Sequence, residues 1–256
     1  MKTAVITGAS SGIGYEFAKI LAREKYQLVL IARNLDRLND IKQEFEKIYG
    51  INVILMPADL SLENVVEGIV KELRYRQLLV EVLINSAGFG YGGEYVRQSW
   101  DNEKDMIQVN VKNLSHLTKL ILPLMLERKY GRICNLSSTA AFYPGPFMAV
   151  YYASKAYILS YSQALANELK KTGVTVTCLC PGPTITNFQT KAGVENNRLF
   201  RASNMAVAKD VAEFGFKAMM KGKVLAIPGV KNNFFLFISR FMSRQSISNF
   251  VRNINS

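Results

Sequence analysis

Thr3-Ala4-Val5-Ile6-Thr7-Gly8-Ala9-Ser10-Ser11-Gly12-Ile13-Gly14 reads as a strand, a glycine turn and a helix start in immediate succession. A short apolar run, suited to a buried strand, leads into three glycines, and a helical pattern starts at the last of them. Ile13, Phe17, Ile20 and Leu21 fall at i, i+4, i+7 and i+8, on one helical face. The glycines let the backbone turn tightly and approach a ligand closely. The free N–H groups of the helix start, and the positive end of its dipole, face that turn; a pyrophosphate is the natural occupant. The spacing is GxxxGxG, neither GxGxxG nor a P-loop, since GK[ST] is absent.

Outward from this turn the alternation repeats. Gln27 to Ala32, Asn52 to Pro57, Val82 to Ile84, Arg132 to Leu136, Val174 to Cys180 and Val224 to Ile227 read as strands. Leu35, Leu38, Ile41, Phe45 and Ile48 make a helical face with Asn34 as its N-cap. Further helices are expected over Trp100–Arg128, with a break near Asn113–Ser115, over Tyr152–Leu169 and over Ala208–Met220. Near-continuous apolar strands belong to parallel sheets buried on both faces. The expectation is an α/β fold: one Rossmann-type, doubly wound parallel sheet of about seven strands in a single domain over residues 1–256.

Composition sets limits on function. In 256 residues, 49% are hydrophobic and 20% charged, which excludes intrinsic disorder. No apolar run reaches the roughly 18 residues of a membrane span, and the N-terminus does not read as a signal peptide, so a cytoplasmic location is expected. Cys134, Cys178 and Cys180 are too few for a disulfide framework and read as buried thiols in a reducing compartment. A lone His116 and the lack of CxxC or HExxH argue against a metal site. The net charge is +12, and 11 Lys/Arg against 3 Asp/Glu lie in Gly182–Ser256. Such a surface favours anionic partners. Nucleic acid is set aside, because no helix carries a dense cationic stripe with interleaved aromatics.

At the end of the second strand an Asp or Glu would accept from a ribose 2′-hydroxyl and favour NAD. Here Arg33 and Asn34 follow Ala32, and an Arg can grip a 2′-phosphate, which argues for NADP. Asp59 reads either as a partner of the adenine amino group or as a helix N-cap. Tyr151 and Lys155 stand at i, i+4 and share a helix face. Ser138 follows the preceding strand at the ligand-binding edge of the sheet.

Taken together, Thr7-Gly8-Ala9-Ser10-Ser11-Gly12-Ile13-Gly14, Asn85-Ser86-Ala87-Gly88, Asn110, Ser138, Tyr151-x-x-x-Lys155 and Pro181-Gly182 resemble the short-chain dehydrogenase/reductase family over essentially the whole chain. One departure is Ser86, where the family usually has a second Asn. The resemblance implies Tyr151 as general acid/base, Ser138 holding the carbonyl oxygen, Lys155 on the nicotinamide ribose and Asn110 organising a proton-conducting water. Lys155 and the positive nicotinamide are expected to lower the Tyr151 pKa. The expected cofactor contacts are Gly8, Ser10, Ser11, Gly12, Ile13, Gly14, Arg33, Asn34, Asp59, Leu60, Asn85, Ala87, Gly88, Tyr151, Lys155, Pro181, Gly182, Thr184 and Thr186.

The expected activity is NADP(H)-dependent interconversion of a small-molecule carbonyl and an alcohol. The alternative is a non-catalytic dinucleotide-sensing protein on the same fold. Tyr91, Phe142, Tyr143, Phe147 and Met148 are expected to crowd the site and select an apolar substrate, of hydroxysteroid, 3-oxoacyl or small ketone or aldehyde type, under a lid at residues 187–204. Homo-oligomerisation through the two long helices is implied by the family alone. In the tail, 231–256, Phe234, Phe237, Ile238 and Phe241, then Ile247, Phe250, Val251 and Ile254, predict two amphipathic basic helices. Their apolar faces either pack on protein and cover the cleft or meet an anionic membrane.

Overall fold

A computed structural model describes residues 2–194 and 205–255. Strands β1 (Thr3–Thr7), β2 (Gln27–Ala32), β3 (Val53–Pro57), β4 (Val80–Asn85), β5 (Gly131–Leu136) and β6 (Val174–Leu179) alternate with helices α1 (Gly12–Arg23), α2 (Leu35–Tyr49), α3 (Val65–Tyr75), α4 (Trp100–Ile107), α5 (Leu114–Glu127) and α6 (Ala149–Glu168). After them come a small ribbon, β7 (Thr184–Ile185) with β8 (Ala206–Val207), helices α7 (Phe188–Ala192) and α8 (Ala208–Met220), and strand β9 (Leu225–Ala226). Helices α9 (Val230–Ser239) and α10 (Arg244–Asn255) form the tail.

The main sheet has seven strands, all parallel, in the order β3-β2-β1-β4-β5-β6-β9. The inner strands are mostly apolar because both faces of the sheet are covered, with Glu81, Arg132 and Thr175 among the exceptions. Ala4, Ile6, Leu28, Leu30, Val82 and Ile84 meet Phe17 and Leu21 of α1, Phe45 of α2 and Val211 of α8 on one side. Val5, Val29, Ile31 and Leu83 meet Val66, Ile69 and Leu73 of α3 and Leu117 and Ile121 of α5 on the other. Full burial of such a side chain stabilises by about 1.5–3 kcal/mol, so the two layers hold the strand ends in fixed register. The winding direction reverses between β1 and β4, and a cleft opens at the carboxyl ends of those strands.

Two details differ from expectation. Helix α3, expected only as the helix Asp59 might cap, starts later, at Val65, with Val66, Ile69, Val70 and Leu73 at helical spacing and buried. The expected break at Asn113–Ser115 is instead a π-helical turn over Gln108–Asn113 that joins α4 to α5 without interrupting the rod. Such a widened turn inserts a residue into the helix and re-aims its neighbours; here it lies where Asn110 must face inward. All three cysteines are buried free thiols, and Sγ of Cys178 and Cys180 lie 3.6 Å apart.

Candidate active site

The cleft encloses about 570 Å³ and runs from the glycine turn across the ends of β1, β4 and β5 to the tail helices. Gly8 adopts φ +67, and a Cβ on Gly14 would stand 2.3 Å from the Gly8 carbonyl oxygen, so only glycine lets α1 start this close to the turn. Ser11 precedes α1 without a side-chain cap, which leaves first-turn N–H groups free for a ligand. Gly8, Ser10, Ser11, Gly12 and Ile13 line the cleft; Gly14 supports them from behind.

Thr7 Oγ1 accepts from the backbone N–H of both Ser86 and Ala87 at 3.1 Å, tying β1 to the loop after β4. Ser86, Ala87 and Gly88 line the cleft. Asn85 does not: it is buried, and its Nδ2 donates to Thr118 Oγ1 at 3.0 Å and Asn135 Oδ1 at 2.8 Å.

At the far end of the turn, Ile31, Ala32, Arg33, Asp59 and Leu60 form the wall. Arg33 is largely exposed, with Nη1 3.9 Å from Asp59 Oδ2. Asp59 Oδ1 accepts from the N–H and the hydroxyl of Ser61, at 2.9 and 2.8 Å. Helix α3 begins later, behind Asn64, so Asp59 caps no helix. Asn34 does cap one: its Oδ1 accepts from Arg37 N–H at 2.9 Å, and it lies off the cleft wall.

Ser138, Tyr151 and Lys155 converge on the cleft floor. Ser138 accepts from Ala140 N–H at 3.1 Å at the head of a short 3₁₀ turn, and it hydrogen-bonds Tyr151. Its neighbour Ser137 is buried and donates to the Lys155 carbonyl at 2.8 Å, which separates the two serines by role. Lys155 Nζ lies 5.6 Å from the Tyr151 ring centroid and donates to the Leu136 carbonyl at 3.0 Å. Burial brings the Lys155 pKa down to about 8. Tyr151 behaves differently from expectation. Burial pushes its phenol above the ordinary value, and the Ser138 hydrogen bond only partly opposes this. The phenol is thus held protonated.

Asn110 sits in the π turn, fully buried and off the cleft wall, and it reaches the cleft only through Phe89, which lines it. Its Oδ1 accepts from Phe89 N–H at 3.2 Å, and its Nδ2 donates to the Phe89 carbonyl at 2.9 Å and to Ser154 Oγ at 3.1 Å. Ser154 in turn donates to the Tyr151 carbonyl at 2.7 Å. Asn110 therefore clamps the loop after β4 to the start of α6.

Pro181, Gly182, Thr184 and Thr186 close the remaining side, with Thr184 Oγ1 donating to the Gly182 carbonyl at 2.9 Å. Of the aromatic and Met residues expected at the substrate end, Tyr143 and Met148 line the cleft. Phe142 lines a neighbouring cavity, Tyr91 packs edge-on against Phe89, and Phe147 lies beneath the Arg252 guanidinium. Phe250, Val251 and Ile254 of the tail also line the cleft, as the reading in which the tail packs on protein and covers it expects, and Phe188 and Phe235, not named among the substrate-end aromatics, join them. The segment expected as a lid begins as α7; residues 195–204 lie outside the described residues.

Residues 2–199 match the family model described as short chain dehydrogenase. An uncharacterized oxidoreductase of Staphylococcus epidermidis is 34% identical over 210 residues, 81% of this chain and 88% of that protein. The very-long-chain 3-oxoacyl-CoA reductase of Anas platyrhynchos is 36% identical over 183 residues, 70% of this chain and 58% of its own length. Among solved structures, a short-chain dehydrogenase from Sphingobium yanoikuyae in complex with NADPH superposes with a TM-score of 0.85 at 27% identity, covering 98% of this chain and 97% of that one.

Proposed function

Because the chain belongs to the short-chain dehydrogenase family, we propose that it is an NADP(H)-dependent carbonyl reductase, reversible as an alcohol dehydrogenase, for apolar ketones or aldehydes. The observation that carries this reading is the convergence of Ser138, Tyr151 and Lys155 at one end of a cleft whose other end is the glycine turn with Arg33. The residues fit the dinucleotide: free helix-start N–H groups suit the pyrophosphate, Arg33 after β2 suits the adenosine 2′-phosphate, and Asp59 after β3 suits the adenine amino group. A 2′-phosphate would offer Arg33 a closer anion than Asp59 does at 3.9 Å. When bound, the nicotinamide exchanges the hydride.

The chain supplies the proton and the placement. Tyr151, kept protonated by burial, donates to the carbonyl oxygen in reduction. Ser138, already within hydrogen-bonding reach of the phenol, positions that oxygen. Lys155, with Nζ beside Gly88 and the Tyr151 ring, favours the phenolate once the proton has left. The apolar wall of Tyr143, Phe188, Phe235 and Val251 excludes water and selects an apolar substrate. Its buried free thiols suit a reducing, cytoplasmic compartment. Homo-oligomerisation through α4, α5 and α6 belongs to the same proposal.

The test is loss of dihydronicotinamide absorbance with NADPH and with NADH, against a panel of hydroxysteroid-type ketones, 3-oxoacyl thioesters and small carbonyls. Turnover with NADPH that vanishes in Tyr151→Phe is expected. Tight dinucleotide binding without turnover of any panel member would favour the sensing protein instead.

A further inference from the structure

The tail has two faces. Its inner face is packed: Leu236, Ile247, Val251 and Asn255 are buried, and Phe235 meets Tyr143 and Phe250 at ring-centroid distances of 5.8 and 5.4 Å. Its outer face is not. Val230, Phe234, Phe237 and Phe241 are 86%, 64%, 57% and 78% exposed. They stand at i, i+4, i+7 and i+11, a single line along α9 and just beyond it, with the Phe237 and Phe241 rings 5.5 Å apart. An apolar line of this kind on a soluble surface marks an interaction site. Around it lie the exposed cations Lys231, Arg240 and Arg244, and the sequence has no acid after Glu213.

We propose that this outer face docks on an anionic lipid surface. The phenylalanines sit at the acyl boundary, and Arg240 and Arg244 meet lipid phosphates. Charge decides between this occupant and a second copy of the chain. A two-fold contact places the same patch on itself. It would bring Lys231, Arg240 and Arg244 of one copy against those of the other, with no Asp or Glu in the tail to offset them. An anionic surface complements the same cations. Among the described residues no helix is long and apolar enough to cross a membrane, so attachment is peripheral. A cavity of about 930 Å³ lies beneath the docking line, lined by Phe142, Tyr152, Leu236, Phe237, Arg240 and Ile247. Tyr152 also lines the active cleft, so docking brings the substrate end close to the lipid.

The experiment is sedimentation of the full chain with vesicles of phosphatidylcholine plus phosphatidylglycerol, and of phosphatidylcholine alone, across a salt series. Binding to the mixed vesicles that weakens with salt is expected. Each cation near such a surface is worth about fivefold in partitioning. Arg240→Glu/Arg244→Glu should therefore lower binding by at least about tenfold. Phe234→Ser/Phe241→Ser, at two positions that do not line the cleft, should abolish it and leave turnover of a water-soluble carbonyl unchanged. Three results overturn the proposal: protein that stays in the supernatant with anionic vesicles, binding indifferent to both double variants, and a dimer in lipid-free solution that Phe234→Ser/Phe241→Ser splits. The last would assign the face to a second copy.

Discussion

The hydroxyl of Tyr152 donates to Oδ1 of Asn255 at 3.3 Å, across 103 positions of sequence, while Nδ2 of Asn255 donates to the Pro146 carbonyl at 2.9 Å. This pair of bonds latches α10 over the substrate end of the cleft. Asn255→Ala leaves a buried hydroxyl and a carbonyl without partners, which should cost about 1–3 kcal/mol. Urea unfolding should show the lower midpoint. Because Val251 and Ile254 of the same helix line the cleft, KM for an apolar carbonyl should rise more than kcat falls. An unchanged midpoint and unchanged KM would mean the latch contributes nothing.

Two adjacent tyrosines make a sharp comparison. Tyr151 hydrogen-bonds Ser138, whereas Tyr152 is occupied by Asn255. Tyr151→Phe should lower kcat by about 10²–10⁴ with cofactor affinity near wild type, since only the transferable proton is removed. Tyr152→Phe should retain most activity. The reverse pattern in steady-state kinetics would exchange their roles.

Arg33 is held by one long ion pair to Asp59, so it is free to turn toward a phosphate. Arg33→Ala should weaken NADPH binding by about ten- to a hundredfold, the 1.5–3 kcal/mol of a charged hydrogen bond, and leave NADH binding nearly unchanged. Calorimetric titration with both dinucleotides measures this directly. Equal wild-type affinities for the two would remove Arg33 from the cofactor site.

Lys155 gives stability a pH dependence. Its pKa falls from an ordinary 10.5 to about 8 on burial. Below the lower value both folded and unfolded chains carry the charge, and the fold bears the full cost of burying it. Between the two values the unfolded chain binds a proton that the folded protein does not, so this group makes stability rise with pH. Relative to Lys155→Met, the wild type should gain on the order of 3 kcal/mol between about pH 7 and about pH 10. Denaturant titrations of both proteins at several pH values check this. Parallel curves would show that Lys155 stays charged in the fold.

Much of the architecture was legible because strand–helix alternation is local. The apolar runs and the i, i+4 faces mark where the elements lie, and the glycine turn marks where the first helix begins. What was not legible depends on how distant segments meet. Phe188 and Phe235 line the cleft only because α7 and α9 fold back on it, and between the two readings of α10, packed on the cleft or facing a membrane, only that fold-back decides. Tyr91 and Phe147 lie close to the motifs in sequence yet turn away from it. The π turn around Asn110 has no compositional sign, since Gln108–Asn113 reads as ordinary helix. The direction of the Tyr151 shift also depends on burial, and neighbour identity alone does not reveal depth.

The cleft is assembled from two kinds of material. The glycine turn, Thr7, Asn110 and Lys155 are locked into the sheet and its helices, where a change in one disturbs several partners. Phe235, Phe250, Val251 and Ile254 are borne on α9 and α10, which pack against the remainder through one side only. The two halves should therefore differ in how readily they tolerate substitution. The tail can be re-upholstered to admit a new ligand while the machinery beneath it stays the same, so differences in what such a chain accepts should arise in its last helices before any change in the residues that do the chemistry.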